Sequence, residues 1–575
     1  MKYSLPLAAL LLASSLVPAV PALAAGTESE IAQPAASVKS TEHLAPIPPA
    51  VQKSMDKLFS LQPELKRLHV TGSYPSEGDG RFVVTLSNQK PEEAWNPKGL
   101  SNAHLIFDNS TGELLGFDLQ IWEWASDKMP SRQLTLEAAD RFLTEWFGAE
   151  NRQKFGKPES NGAGSSTTHH DDGTKTTWAT RHAEFPLVLN GLPVSGGGGP
   201  HLGVDSFGHV VNYTYTPIDL DNISVPKPNT ARPAEEIKQK AVTADSIDVS
   251  YIEAQPEKYT RLSVNTKTKP VLRYDFQRYG YLHPVTGKPI DTLSGKEIDK
   301  NRQPSVSKQE VTLQPKGQPI IVRSEDEAKQ LIGQLLGMAD ARTKLRTAEH
   351  RVPENNEDNP QQMYEFDTED HQIFSYVLVD KRTGQVQHAS VQVNREPQEQ
   401  AAKVTKEEAY ATALSFLQTY ASPTAKQLES IDFSWEEPEL PAWVDKSKLP
   451  EGILENQSNE YSFFFQEMHQ GIPVQDRSYQ VTVDKQTGKV VGFSLAVPKE
   501  KLELPDAKNI VTKTQAVTMF LKNEALKLQY IWPQYMNQRA PAPILVYGWD
   551  NSKGYGYVDA TTGEYVNVPV EWDEE

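Results

Sequence analysis

The strongest constraint on this chain is that it repeats itself. Six amphipathic helix patterns occur along it, each with one apolar stripe that needs a partner surface. The stripes are Val51, Met55, Leu58 and Phe59; Leu136, Ala139, Phe142, Leu143 and Trp146; Ala234, Ile237 and Ala241; Ala328, Leu331, Ile332, Leu335 and Leu336; Ala409, Ala413, Phe416 and Leu417; and Ala516, Phe520, Leu521 and Leu526. Three of the helices open with a capping-box pattern: Ser324…Glu327, Thr405…Glu408 and Thr512…Gln515. There a hydroxyl and a back-reaching side chain satisfy free backbone N–H groups and fix where the helix begins.

Strand-like sequence follows each helix and leads into a recurring turn. The turn runs Asp108 to Gly112, shortened to Asp205 to Gly208, varied at His283 to Gly287, then Asp380 to Gly384, Asp484 to Gly488 and Asp559 to Gly563. An Asp carboxylate at the first position accepts turn N–H groups, and the Gly takes the positive φ that closes a hairpin with a bulge. Tyr479, Val481 and Val483 before one turn, with Val491, Phe493 and Leu495 after it, alternate as strands do. Repetition at six hairpin tips makes these carboxylates turn chemistry rather than catalytic pairs.

The units group in threes. Asp108 and Asp380 are 272 residues apart, Phe142 and Phe416 274, Gly287 and Gly563 276, and Gly191-Leu-Pro193-Val194 and Gly471-Ile-Pro473-Val474 280. Four landmarks at nearly one offset mark the second half as a duplicate of the first. The predicted fold is α+β: tandem helix-plus-antiparallel-hairpin units, each helix on one face of a sheet, three per domain in two homologous halves. The expected division is a signal peptide at 1–24, a disordered linker at 25–46, a first domain at 47–305, a polar Lys/Gln/Pro linker at 306–319, and a second domain at 320–575.

The signal peptide rests on Lys2, the apolar run Leu5 to Val20 broken by Pro6 and Pro18, and the small-residue site Ala22-Leu23-Ala24. The run is short for a membrane span, and no later segment is apolar enough for one. With no cysteine, disulfides, thiolate metal sites and a lipoprotein anchor at the cleavage site are excluded. A cysteine-free exported chain suits a bacterial envelope or culture medium. The net charge of −18 argues against nucleic acid and anionic lipid as partners.

The segment Tyr461 to Gln466, Gly471 to Val474, Tyr479 to Asp484 and Thr487-Gly488-Lys489-Val490 resembles the YcdB/YcdC repeated domain of Gram-positive secreted proteins. His182 to Phe185, Asn190 to Val194 and Val204-Asp205…Gly208 answer it in the first half. Each such domain is in turn similar to the PepSY unit, a helix followed by a sheet hairpin with an Asp-x-x-Thr-Gly turn. The resemblance covers most of the chain from about residue 47. It implies a secreted or envelope-associated protein. PepSY units also occur in propeptides that fold beside thermolysin-type metallopeptidases and restrain them. No catalytic residues are established for these units, so the resemblance carries none over.

The residues themselves offer no catalytic, cofactor-binding or metal site. No His-Glu-x-x-His helix, Gly-x-Ser-x-Gly elbow or P-loop occurs. His169-His170-Asp171-Asp172 have metal-ligating types but lie in a stretch expected to be a flexible polar loop, Asn161 to Ser166 and Gly173 to Lys175. Gly196 to Gly199 is expected to be a wide hairpin connection. Asp219-Leu220-Asp221-Asn222 and Asp550-Asn551-Ser552 lack the rest of a calcium loop. The clusters Trp122/Trp124, Trp146/Phe147, Tyr461 to Phe465 and Tyr555/Tyr557 are expected in cores, with a carbohydrate or peptide platform as the alternative.

The leading expectation is a non-enzymatic exported module that binds protein or peptide along sheet edges, with a secreted peptidase or another envelope protein as partner. One alternative is a structural or wall-polymer-binding envelope protein. Another is a hydrolase with an unrecognised site using His169, His170 or His182.

Overall fold

The computed structural model describes residues 44–571, apart from 77–79, 91–97, 171, 197, 221, 261–266, 277, 279, 299–304, 338–340, 348–360, 394–401, 435–439, 450–458, 497–502 and 537. The signal peptide and the segment 25–43 lie outside the described residues. The first unit is α1 (Pro49–Leu61) with β1 (His69–Pro75), β2 (Arg81–Ser87), β3 (Asn102–Asp108) and β4 (Leu114–Gln120). Next come α2 (Arg132–Phe147), the short α3 (Ala149–Arg152), β5 (Glu159–His169), β6 (Lys175–Glu184), β7 (Val188–Leu189), β8 (Leu192–Ser195), β9 (His201–Asp205) and β10 (Val210–Thr214). The third unit has α4 (Ala234–Ala241), β11 (Ile247–Pro256), β12 (Tyr259–Thr260), β13 (Thr268–Phe276) and β14 (Tyr281–Leu282).

The second half begins with β15 (Ser305–Thr312). It continues through α5 (Glu325–Leu336), α6 (Ala341–Lys344), β16 (Arg346–Thr347), β17 (Gln361–Asp367), β18 (Ile373–Asp380) and β19 (Val386–Val393). The fifth unit is α7 (Lys406–Tyr420), β20 (Gln427–Ser434), β21 (Glu460–His469), β22 (Ile472–Asp484) and β23 (Val490–Ser494). The sixth is α8 (Lys513–Asn523), β24 (Leu526–Ile531), β25 (Gln534–Tyr535), β26 (Gln538–Arg539), β27 (Ile544–Trp549), β28 (Tyr555–Asp559), β29 (Tyr565–Val568) and β30 (Val570–Glu571).

The helices start where their chemistry dictates. Thr405 and Thr512 form both halves of their capping boxes, with Glu408 and Gln515 bonding back to the cap N–H groups. Ser324 accepts from Glu327 N, but the Glu327 carboxylate reaches one residue further back, to Arg323 N. Helix α2 is capped by Ser131 and stopped by Gly148 at φ 79°, a conformation that glycine adopts without strain. Its face Thr135, Ala138, Ala139, Phe142, Leu143 and Trp146 is buried against the first sheet.

Each half places two four-stranded meanders edge to edge. The first sheet runs β1-β2-β3-β4-β10-β9-β6-β5, so the last strands of the two units, β4 and β10, meet antiparallel. The second repeats the plan: β16-β17-β18-β19 meets β23-β22-β21-β20 through β19 and β23. The α+β reading with antiparallel sheets therefore holds. The turns also form as expected. Asp108 Oδ1 accepts from Ser110 N at 2.9 Å and Thr111 N at 2.7 Å, and Gly112 N donates to Asp108 O at 2.8 Å. At the variant third turn His283 Nδ1 takes the place of the carboxylate, accepting from Val285 and Thr286 N. The Gly does more than take φ 72°: a Cβ on Gly112 would lie 2.4 Å from the Ala50 carbonyl carbon, because the turn packs on the start of α1. A further turn of this kind, Asp291 to Gly295, escapes the sequence reading because Ser294 replaces the Thr.

Units three and six have exchanged hairpins. In the other units the second strand pairs with the third of the same unit, as β2 with β3 and β6 with β9. Here β13 pairs with β28, Tyr274 opposite Val558, and β27 pairs with β14, Tyr547 opposite Leu282. Helix α8 covers the first composite, burying Ala516 and Phe520 with Tyr251, Leu272 and Tyr274. Helix α4 covers the second, where Ile237 meets Leu282 and Tyr547. The core of the first half also takes in Tyr530, Trp532 and Leu545 from the last unit. The expected domains 47–305 and 320–575 are thus threaded through each other, each supplying strands the other's composite needs.

The paired Gly-x-Pro-Val motifs are the latches of this exchange. Asn190-Gly191 (φ 48° and 78°) and Gln470-Gly471 (φ 51° and 76°) have the two positive φ values of a type I′ hairpin turn. Beyond each turn the buried valine pairs in parallel with a buried tyrosine of an exchanged hairpin: Val194 with Tyr530, and Val474 with Tyr251.

Two expectations need correction. The stretch from Asn161 to Ser166 is not a loop but part of the eleven-residue strand β5, paired with the β-branched and aromatic β6 with a register shift at Asn161. The supposed linker 306–319 begins as strand β15, paired with β20 over eight residues from Ser305↔Ser434 to Thr312↔Gln427. Both stretches are polar, and in both the partner strand overrides composition.

Candidate functional site

The two halves differ at one edge. In the second, β20 is hydrogen-bonded on both sides, to β21 and to β15. In the first, among the described residues, β5 pairs with β6 alone. The two edges correspond in sequence. Phe185 and Phe465 stand 280 residues apart, the offset of the latch motifs. Glu184 opposite Glu159 then matches Phe464 opposite Ile431. Leu428 opposite Glu467 likewise matches Phe155 opposite Leu187, so the covered part of β20 corresponds to the start of β5 and the segment before it. Among the described residues no second strand pairs with the start of β5 or the segment just before it.

A groove lies at that place. Leu136, Glu137 and Asp140 of α2 face Arg152, Phe155 and Pro158 across an open depression of about 590 Å³. In the second half residues 313–318 run beside the last turn of the corresponding helix, α7, at Gln418 and Thr419. Leu313 N donates to Lys426 O at 2.9 Å and Lys316 N to Gln418 O at 2.9 Å, while the Leu313 side chain is buried in the core. The groove wall in the first half is firm and self-neutralised. Arg152 Nε bonds Asp140 Oδ1 at 2.8 Å, and its other nitrogens bond the carbonyls of Phe155 and Gly156 at 2.8 and 3.1 Å. Apolar surface is what it offers a ligand, since the backbone of Phe155 and Gly156 is already bonded.

Other edges are less open. Ala45 N bonds Ser73 O at 2.8 Å, so the start of the described chain runs along β1. β29 has four residues, and β15 carries Lys308 and Glu310. β5 has no Lys and no Pro, the residues by which natural sheets blunt their edges, and Ser165, Ser166 and Thr167 are exposed.

The remaining candidates are placed as follows. His170 is buried under Trp122, ring centroids 5.7 Å apart, with Nε2 2.8 Å from Thr176 Oγ1. Asp172 caps Thr174 and meets Lys98 at 2.7 Å, an exposed pair that, with Thr174, holds its carboxyl well below the usual range. The His169 side chain, Asp171, Gly197 and Asp221 lie outside the described residues. His182 is half-buried on β6, and burial, then His201, lowers its pKa, so it is neutral at pH 7. No group of three or more metal-ligating side chains gathers among the described residues. Asp219 meets Asn222, and Asp550 caps Ser552 and binds Lys527, as turns do. Of the aromatic clusters, Trp124, Trp146, Phe463, Phe465, Tyr555 and Tyr557 are buried, whereas Trp122, Phe147 and Tyr461 are half-buried.

What emerges is an α+β scaffold of two similarly built sheets, with one strand edge covered and, among the described residues, its counterpart uncovered. Residues 340–496, from α6 to β23, match the family model of the YcdB, YcdC repeated domain. Among solved structures the chain is similar to the Bacillus megaterium YpeB C-terminal domain, at 17% identity and a TM-score of 0.23, over 44% of this chain and 97% of that one. No curated protein matches it. No helix among the described residues is long and apolar enough to cross a membrane.

Proposed function

We propose that this is an exported, non-enzymatic module that takes up an extended segment of a partner protein as an added strand along β5. In its sharpest form it restrains a secreted peptidase as a propeptide does. The observation that carries this reading is the pair of corresponding edges: β20 holds β15 over eight residues, and β5 pairs on one side alone among the described residues. Strand addition draws affinity from main-chain hydrogen bonds and specificity from pockets for alternate side chains. Here the groove beside Phe155 would be such a pocket. A wall-polymer platform finds less support, since most of the clustered aromatics are buried.

The test is an inhibition titration of residues 25–575 against the secreted neutral metallopeptidase of the host, with binding followed in parallel. Saturable, stoichiometric inhibition without rapid cleavage of the module is expected. Neither inhibition nor binding would remove the peptidase form of the reading.

A further inference from the structure

The face of the first sheet turned away from α1 and α2 carries a row of polar groups that the fold does not use. Strand pairing aligns His104 on β3, Asp118 on β4, Asn212 on β10, Gly203 on β9 and His182 on β6. Paired residues share a face, and their chain neighbours Leu105, Phe117, Tyr213, Leu202 and Ala183 fill the core on the other. We propose that this row is a separate binding site, for an uncharged oligosaccharide laid across the strands. It stands independently of strand addition along β5.

The groups are accessible and unsatisfied. His104 and Asp118 are exposed, and Asn212 and His182 are half-buried. Asn212 Nδ2 donates to Asp118 Oδ2 at 3.2 Å, which leaves Asp118 Oδ1 without a partner among the described residues. Neither His104 nor His182 forms a hydrogen bond among those residues. Between Asn212 and His182 lies Gly203, where a Cβ would come within 3.1 Å of the Asn212 Cβ and 3.3 Å of the His182 ring. Amide and imidazole therefore lean over one strand that has no side chain. Burial raises the Asp118 carboxyl and lowers both imidazoles, although solvent reaches them, so the two histidines are neutral at pH 7.

The second half shows that the sheet does not need these groups. His104 and Tyr376 each stand four residues before the Asp of their turn. The row through Tyr376 continues in the same pairing order with Ser390, Gly492, Thr482 and Ser462. It has no carboxylate and no imidazole. Its Tyr376 OH lies 2.9 Å from His388 Nε2, and Ser462 Oγ lies 3.2 Å from Thr482 Oγ1. One row is filled from within the protein, and the other keeps unused donors and acceptors.

The residue types define the ligand. The strands β3, β4, β10, β9 and β6 place Asp118 and Glu184 on this face and no Lys or Arg, which excludes an anion. A cation would satisfy Asp118 and leave the amide and both imidazoles unmatched. A hydroxyl both donates and accepts, so a run of hydroxyls matches all four: it donates to Asp118 Oδ1 and exchanges bonds with the Asn212 amide and the neutral rings. From β3 to β6 the row crosses four strand spacings, about 19 Å, which calls for an oligomer rather than one sugar ring. Recognition here is by hydrogen bonds and needs no aromatic platform.

The probes are chitotetraose and maltotetraose, both neutral, with the glucosamine tetramer as a cationic counterpart, each titrated calorimetrically into residues 25–575. The variants Asp118→Ala, His182→Ala and, in the second half, Ser390→Ala are measured in parallel with their thermal unfolding. Because burial disfavours the ionised carboxyl, Asp118→Ala should melt at or above the parent. Asp118→Asn keeps the side chain's shape and separates loss of binding from any folding defect.

Saturable binding of at least one neutral tetramer is expected, weakened at least about tenfold by Asp118→Ala and by His182→Ala and unchanged by Ser390→Ala. No binding by either neutral tetramer overturns the inference. So does a tetramer that binds regardless of Asp118 and His182, or one lost on Ser390→Ala, since it sits elsewhere. Binding of the glucosamine tetramer alone, abolished by salt, would mean that the row reads positive charge and would sink the uncharged ligand. None of these outcomes bears on β5, whose strand-addition reading stands or falls with the inhibition titration.

Discussion

The first and second halves share a sheet plan and a set of turns, yet they resolve the same edge differently. One covers it with its own polypeptide, and among the described residues the other has no second partner there. Duplication explains how that can be stable. The groove is held by its own helix and strand. In the first half Arg152 bonds Asp140, Phe155 and Gly156, so the wall does not need an occupant to stand. At their third units, by contrast, the halves cannot be told apart as bodies, because each borrows a hairpin from the other.

The severest way to break the comparison is to separate its terms. Produced alone, residues 47–319 would lack the β24–β27 hairpin that α4 covers, and residues 320–575 would lack the β11–β13 hairpin that α8 covers. Neither half is expected to show a cooperative tertiary transition by near-ultraviolet circular dichroism, whereas co-expressed halves should copurify and melt together. Two independently cooperative, monomeric halves would contradict the exchange.

The joints of that exchange are built unequally. Where β22 meets β11, Arg477 bonds Glu253 at 2.6 Å and Glu467 at 3.0 Å, both carboxylates nearly inaccessible, and Asp476 accepts from Glu253 N and Ala254 N. The Glu253 hydrogen bonds first, and then Glu467, hold the guanidinium pKa above its usual value against the lowering effect of burial. Where β8 meets β24, the polar contact is neutral: Asn190 donates to Tyr530 OH at 3.0 Å. Arg477→Ala strands two buried carboxylates and should cost about 3–5 kcal/mol. Tyr530→Phe loses hydrogen bonds and should cost about 1–2 kcal/mol. Denaturant melts of the two variants check the ratio, and equal costs would mean the joints are energetically alike.

How much of this was visible in the sequence depends on whether the signal was local. Thr405 with Glu408 and the Asp-to-Gly turns carry their structural reason within five residues, so helix starts and hairpin tips were legible. The offset of the Gly-x-Pro-Val motifs exposed the duplication. Which hairpin pairs with which was not legible, because β11–β13 and β24–β27 have the same local propensities whether kept or exchanged. The candidate site was hidden for a related reason. Its two defining elements, β5 and β15, read as loop and linker. Gly162 to Thr168 and Lys308 to Thr312 are polar, and only their partner strands make them β.

A third test acts on the edge itself. Leu313→Ala removes the anchor of the resident strand. The side chain is buried in the second core, so the change should cost about 2–4 kcal/mol. It should also raise hydrogen exchange along Ser305–Thr312 more than along β21. No counterpart in the first half should respond. If β15 stays protected, the strand is held by its backbone ladder alone.

The smallest effect sits at the turns the halves share. The Asp108 carboxyl is pushed down to about 2, chiefly by the Ser110 hydroxyl and then by the Thr111 backbone and side-chain bonds. A depressed carboxylate stabilises the fold above its unfolded value, near 3.8, and that contribution disappears as pH falls toward 2. The turn is solvated, so Asp108→Asn should cost less than about 1 kcal/mol at pH 7. The difference from the parent should shrink to nothing near pH 2. At Asp380 the turn N–H of Thr383 is the leading cause of the same downward shift, so Asp380→Asn should follow the same profile. A variant gap that stayed constant from pH 7 to pH 2 would mean the carboxylate charge is irrelevant there, and that Asp holds the turn by shape alone.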